Sequence, residues 1–270
     1  MKLRIPLNNF DRERTGVLEL SNARILPGNE LKDPRLDGKT KYVLEMEEVQ
    51  QEKPRRSLDR VLSIFKLFKD CLVLSNVVLI GEKRADHLSH YTHWVDQDRG
   101  VPAYFLTQQE EEDFSRFWEE FSEIDAGNFA VSRFHLADYR AYSTDRFVDY
   151  VESLEYLFVP DSGEAEISYK FRHRGCLILG RDRPEKNRRE IFGVLRDAYR
   201  LRSAVVHGGN INKYLKGHKW EDKLNPVRSY AREAIKFFFR QKCIDNAKRR
   251  KELLEDLLIF NAKIDVCSTS

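Results

Sequence analysis

The sequence predicts an α+β chain: a mixed α/β N-terminal part over residues 1–137, then an all-α helical bundle over 138–270. Three observations predict it. Strand-length apolar segments, punctuated by Gly, Pro and Asp, are confined to the first part. After about Asp138 apolar residues recur almost wholly at helical spacing. Short linkers join most of those helical segments, which makes sequence neighbours antiparallel neighbours in a bundle.

In the first part, "GVLELSNARIL" and "KYVLEMEEV" read as strands, separated by the loop-rich "LPGNELKDPRLDGKT". "SLDRVLSIFKLFKD" changes the period: Leu58, Val61, Leu62, Phe65 and Phe68 share a helix face, and Ser57 is placed to cap it. "LVLSNVVLIGE" reads as a buried strand. "TQQEEEDFSRFWEEFSEI" reads as a helix capped by Thr107, with acids in its first turn and Phe114, Phe117, Trp118 and Phe121 on one stripe.

In the second part, "TDRFVDYVESLEYLFVP" stacks Phe147, Val151, Leu154 and Phe158 on one face and stops at Pro160. "AEISYKFRHRGCLILG" has a looser stripe of Ile167, Phe171, Cys176 and Leu179, with Gly180 as the expected cap. "RPEKNRREIFGVLRDAYRLRSAVVHGG" has Pro near its start and Gly past its end. A longer loop over 208–224 precedes two more helices, "NPVRSYAREAIKFFFRQKC" and "NAKRRKELLEDLLIF". The basic run in the last of these reads as a solvated helix start.

The chain is 41% hydrophobic and 34% charged, with a net charge of +3. Distribution matters more than the total. Residues 104–125 hold eight acids and one base, whereas 170–219 hold fourteen bases and four acids. Either a polyanion is a partner of the second part, or the two parts are solvated faces that complement each other within one protein. The N-terminus lacks a signal-peptide stretch, and the longest apolar run, "CLVLSNVVLI", is too short for a membrane helix. Cys71, Cys176, Cys243 and Cys267 form no C-x-x-C pair. No membrane association and a reducing, cytoplasmic setting are expected. His87, His90 and His93 stand at spacings of three, but no carboxylate or cysteine motif completes a ligand set, so no metal and no cofactor are expected.

One segment raises a chemical question. On a helix ending at His207, Ile191 and Leu195 lie within about 20° of Arg202, and Ala198 and Val206 within about 40°. Arg202 is thus expected on the buried stripe, where a charge costs several kcal/mol unless it is paired or opens to a polar cleft. His207 follows five residues later, about 140° around the helix. The helix dipole there favours its protonated form. Two functions compete for Arg202: a buried salt bridge in a helical scaffold, or a cation held in a cleft.

Arg202-Ser203-Ala204-Val205-Val206-His207 is R-x4-H with a polar residue after the arginine. It resembles the HEPN superfamily (higher eukaryotes and prokaryotes nucleotide-binding domain). "YRLRSAVVHGG", together with the upstream "SLEYLFVPDSGEAEISYKFRHRGCLILG", resembles the Apea-like HEPN group, and the likeness runs from about Asp138 to Phe260. The resemblance implies a four- or five-helix bundle that dimerises. It further implies a cleft between two subunits that cuts RNA without a metal, with defence or stress as the expected setting. On that basis Arg202 and His207 are the catalytic pair, with Glu155, Ser203 and Tyr199 supporting. Arg174, Arg196 and Lys213 are the expected RNA-binding residues. The N-terminal part would receive a protein partner or trigger. Some HEPN domains only bind, so a non-catalytic module for RNA, a nucleotide or a protein is the alternative.

Overall fold

The computed structural model describes residues 2–31, 33, 35–36, 40–47, 54–70, 73–75, 77–80, 83–86, 104–161 and 166–260. The fold is α+β, and the chain divides into two compact units, Met1–Gly127 and Asn128–Ser270. The division falls ten residues before the expected one, because a helix that the sequence reading did not mark, Phe129–Ala137, packs extensively against the next helix of the second unit. Cys71, Cys267, His87, His90 and His93 lie outside the described residues.

In the first unit, strands β1 (Lys2–Leu7), β2 (Phe10–Arg12), β3 (Leu18–Glu19), β4 (Ala23–Pro27) and β5 (Tyr42–Glu47) precede helix α1 (Pro54–Phe68). Strands β6 (Val77–Ile80), β7 (Lys83–Asp86) and β8 (Tyr104–Leu106) follow, then helix α2 (Gln108–Phe121). The main sheet is antiparallel with order β3-β4-β5-β1-β6-β7, and β2 pairs in parallel with β8. Register explains its two faces. Leu44 lies opposite both Ile5 and Ile25, and all three are fully buried. One residue on, Glu45 lies opposite Arg4 and Arg24 and accepts hydrogen bonds from both and from Lys2, so ion pairs cover that face. Phe65 of α1 meets Phe10, Tyr104 and Phe114 edge-on or stacked, which makes an aromatic core. Thr107 and Glu110 form the capping box of α2. Arg12 and Glu111 make a buried two-point ion pair, at 2.8 and 3.1 Å.

The second unit is a helical bundle: α3 (Phe129–Ala137), α4 (Ser143–Phe158), α5 (Ile167–Gly180), α6 (Glu185–Val206), the single turn α7 (Asn212–Leu215), α8 (Trp220–Arg240) and α9 (Ala247–Phe260). Helix α4 packs on α3, α8, α6 and α5, and its face of Phe147, Tyr150, Val151, Leu154, Leu157 and Phe158 is wholly buried.

Four expectations are corrected. Ser57 does not cap α1; that helix starts at Pro54 and Ser57 lies buried within it. Gly180 is not a left-handed cap; it is the last residue of α5, and a Cβ there would stand 2.7 Å from the Arg188 side chain, so glycine allows close packing at this corner. Helix α8 starts at Trp220 rather than at Asn225, and Asp222 accepts a hydrogen bond from the Lys219 backbone N–H at that start. The basic run of α9 is not all solvated. Arg250 is 1% exposed, donates to the Cys243 and Ile244 carbonyls, and lies 4.3 Å over the Tyr156 ring. Among the described residues no helix is long and apolar enough to cross a membrane.

Candidate functional site

Helix α6 positions most of the residues singled out from sequence. Its buried positions are Ile191, Leu195, Ala198, Leu201 and Ala204. The stripe drifts toward Leu201 and Ala204 in the last turns, which leaves Arg202 at its edge rather than at its centre. The Arg202 side chain is 20% exposed and faces α4. There its Nη2 lies 3.5 Å from Glu152 and 3.9 Å from Glu155. Its Nε, although buried, has no hydrogen-bond partner among the described residues, and neither has Oε2 of Glu155.

This loose contact differs from the tight pairs elsewhere. Arg12 grips Glu111 at two points, and Arg174 grips Asp161 at 2.6 and 3.2 Å while also donating to the Phe158 carbonyl. The contacts of Arg202 with Glu152 and Glu155, at 3.5 and 3.9 Å, are longer than any of these.

Glu152 was not anticipated. It lies one turn before Glu155 on the same face of α4, forms an ion pair with Arg133 at 3.3 Å and faces Arg202. Arg133 in turn bonds Asp149, which also holds Arg140. The three acids at 149, 152 and 155 thus run down α4 at i, i+3 spacing and meet three arginines. That spacing was the available signal. Burial pushes the Glu155 carboxyl above its usual range; Arg202 opposes the shift and Glu152 adds to it. Tyr199, one turn before Arg202, packs against Phe171 with ring centres 5.5 Å apart, and burial raises its phenol too.

His207 is the C-cap of α6, and its backbone N–H bonds the Ser203 carbonyl. Gly208 follows at φ +69°, and the Gly209 N–H reaches back 2.7 Å to the Ala204 carbonyl. This is a Schellman ending, and Gly208 supplies its left-handed residue. The His207 side chain is exposed and makes no hydrogen bond or ion pair among the described residues. Arg202 and His207 are not brought together within one chain, since α6 stays regular to Val206 and separates them by about 140°. Ser203 contributes the backbone carbonyl at the cap.

Of the residues expected to bind RNA, Arg174 is corrected: it is 5% exposed and fixes the end of α4 against α5 through Asp161. Arg196 is half-buried beside Asp197, and Lys213 is exposed on α7. A cavity of about 230 Å³ between α4, α6, α7 and α8 is lined by Glu190, Asp197, Tyr214 and Asp222 among others, and includes neither Arg202 nor His207. Comparison with protein-family models, with curated proteins and with solved structures found no match to this chain.

Proposed function

We propose that the second unit is an endoribonuclease of the HEPN type that needs no metal and works as a homodimer. The observation that carries this reading is the contrast between Arg202 and the structural arginines. Arg202 is partly exposed and faces two carboxylates only at 3.5 and 3.9 Å, five residues before an exposed histidine that has no side-chain partner among the described residues.

These groups suit cleavage through the ribose. The 2′-oxygen attacks phosphorus, the bond to the 5′-oxygen breaks, and a cyclic phosphate and a free hydroxyl result. His207 moves a proton at one of these oxygens. Arg202 holds non-bridging oxygens and stabilises the charge that builds there. Glu152 and Glu155 keep the guanidinium oriented until the phosphate replaces them. Because one chain separates Arg202 from His207 on α6, the site takes its parts from two α6 ends related by a two-fold axis. DNA lacks the attacking hydroxyl and is left intact.

One observation favours a second reading. Two carboxylates beside Arg202 diminish its net charge, which suits a module of the same type that binds RNA, a nucleotide or a protein without cutting. A single experiment separates the two. Purified protein is incubated with mixed RNA in EDTA, beside Arg202→Ala and His207→Ala. Cleavage by the wild type alone is the expected result. No cleavage by any of the three, with RNA still bound, supports the binding module. Equal cleavage by wild type and His207→Ala overturns the enzymatic reading.

A further inference from the structure

Aromatic side chains and an arginine with no carboxylate partner among the described residues stand together on α5 and α6. Tyr169 is 49% exposed, and its ring centre lies 3.9 Å from that of His173. His173 in turn meets Phe192 edge-on at 5.0 Å. The Arg172 guanidinium lies 5.7 Å from the centre of the Tyr169 ring and 5.3 Å from that of Phe192. Among the described residues Arg172 has no carboxylate partner, and its Nε is buried without a hydrogen bond.

Arg174, two residues on, is paired with an acid, whereas Arg172 has none among the described residues. Flat rings backed by further rings, with a cation set over two of them, form a stacking platform for a nucleobase and its phosphate. Burial, and then Arg172, hold the His173 imidazole below its ordinary pKa, so at neutral pH it stays an uncharged ring behind Tyr169.

The course of α6 links the platform to the cap. Counted at 100° per residue, Phe192, Arg196, Arg200, Ser203 and His207 fall within a sector of about 80°. Phe192 and His207 are about 22 Å apart along the axis, the reach of several nucleotides. Arg200 is exposed, and among the described residues Arg196 is answered by Asp197 alone, so the strip between the platform and His207 carries positive charge.

We infer that Tyr169, His173, Phe192 and Arg172 form a base-stacking subsite that selects single-stranded RNA and feeds it along α6 toward His207. The inference rests on the reading that this unit takes RNA, but not on its cutting it. Stacking requires a base free of its duplex, so the ligand class is single-stranded, with little preference for base identity.

The probe is an oligoadenylate of about ten nucleotides with one 2-aminopurine, whose fluorescence is quenched on stacking. It is titrated into full-length His207→Ala protein, which leaves the RNA intact, with and without Tyr169→Ala or Tyr169→Phe. A duplex RNA and light scattering serve as controls. Tyr169→Ala is expected to weaken single-strand binding roughly tenfold and abolish the quenching, while Tyr169→Phe keeps both and duplex binding changes little. If Tyr169→Ala binds and quenches as its parent does while wild-type protein cuts RNA, the subsite is wrong and the nuclease reading stands. Tyr169-dependent binding with no cleavage by the wild type leaves the subsite standing and removes the nuclease. No binding by any form overturns both. If Tyr169→Ala lowers the oligomeric state and weakens both RNAs equally, the face is a subunit interface and the inference fails.

Discussion

Replacing Arg202 by alanine separates a catalyst from a structural ion, and the structure sets the size of each outcome. Its contacts, at 3.5 and 3.9 Å with a fifth of the side chain exposed, are longer than hydrogen bonds. Their loss belongs near the surface-pair scale of about 1 kcal/mol or less, not the 3–5 kcal/mol of a broken buried pair. Arg174 is the internal standard for the larger figure. It is buried and holds both oxygens of Asp161, so Arg174→Ala should cost about 3 kcal/mol even with Lys170 still beside that carboxylate. For a unit of this size 1 kcal/mol corresponds to about 4 °C in melting temperature. Arg202→Ala should therefore melt no more than about 4 °C below wild type, and Arg174→Ala about 12 °C below. Cleavage should show the reverse order. Arg202→Ala should lose a factor of about a hundred or more, as when one stabiliser of transition-state charge is removed. His207→Ala should be equally inactive yet melt like wild type. The double variant should lose little more than either single one, since both residues serve one step. The assays are calorimetry and RNA cleavage on the same preparations. An Arg202→Ala protein that melts as low as Arg174→Ala, beside a His207→Ala protein that still cuts at the normal rate, would refute the catalytic assignment and make Arg202 part of a scaffold.

Gly208→Ala should cost about 1–2 kcal/mol, because φ +69° is a left-handed conformation that alanine adopts poorly. It should also fray the last turn of α6 and slow cleavage, with faster amide exchange at Gly209 as the check. In the first unit, burial raises the Glu45 carboxyl, but hydrogen bonds from Lys2, Arg4 and Arg24 overcome it and bring it down from 4.5 to about 2. A depressed carboxyl stabilises the fold above its unfolded value and loses that contribution as pH falls toward 2. Glu45→Gln should thus melt below wild type at pH 7, by an equivalent of at most about 3 kcal/mol, and the gap should narrow as the pH falls from 4.5 to 2; a constant gap would contradict the linkage. Light scattering should give a dimer at micromolar concentration, and a monomer would count against a site shared by two chains. RNA affinity should fall steeply from low to physiological salt, and a flat response would argue against the basic face as the binding surface.

The sequence by itself determined the elements whose causes are local. Periodicity placed α1, α2, α4, α5 and α6, because a buried stripe must repeat every three or four residues. The Thr107 cap and the glycine ending after His207 were legible for the same reason, since capping is settled within one turn. Strand pairing was not. That Glu45 would be buried under Arg4 and Arg24 depends on a register joining residues tens of positions apart. Arg202 and Arg174 looked alike in sequence as arginines on helices of one basic stretch. Which would be tightly held and which loosely faced depended on the carboxylates that other parts of the chain bring beside them, Asp161 at two short contacts and Glu152 and Glu155 at longer ones. Local hydrogen bonds and periodicity are encoded in neighbouring residues, whereas the partner of a charge is chosen by packing.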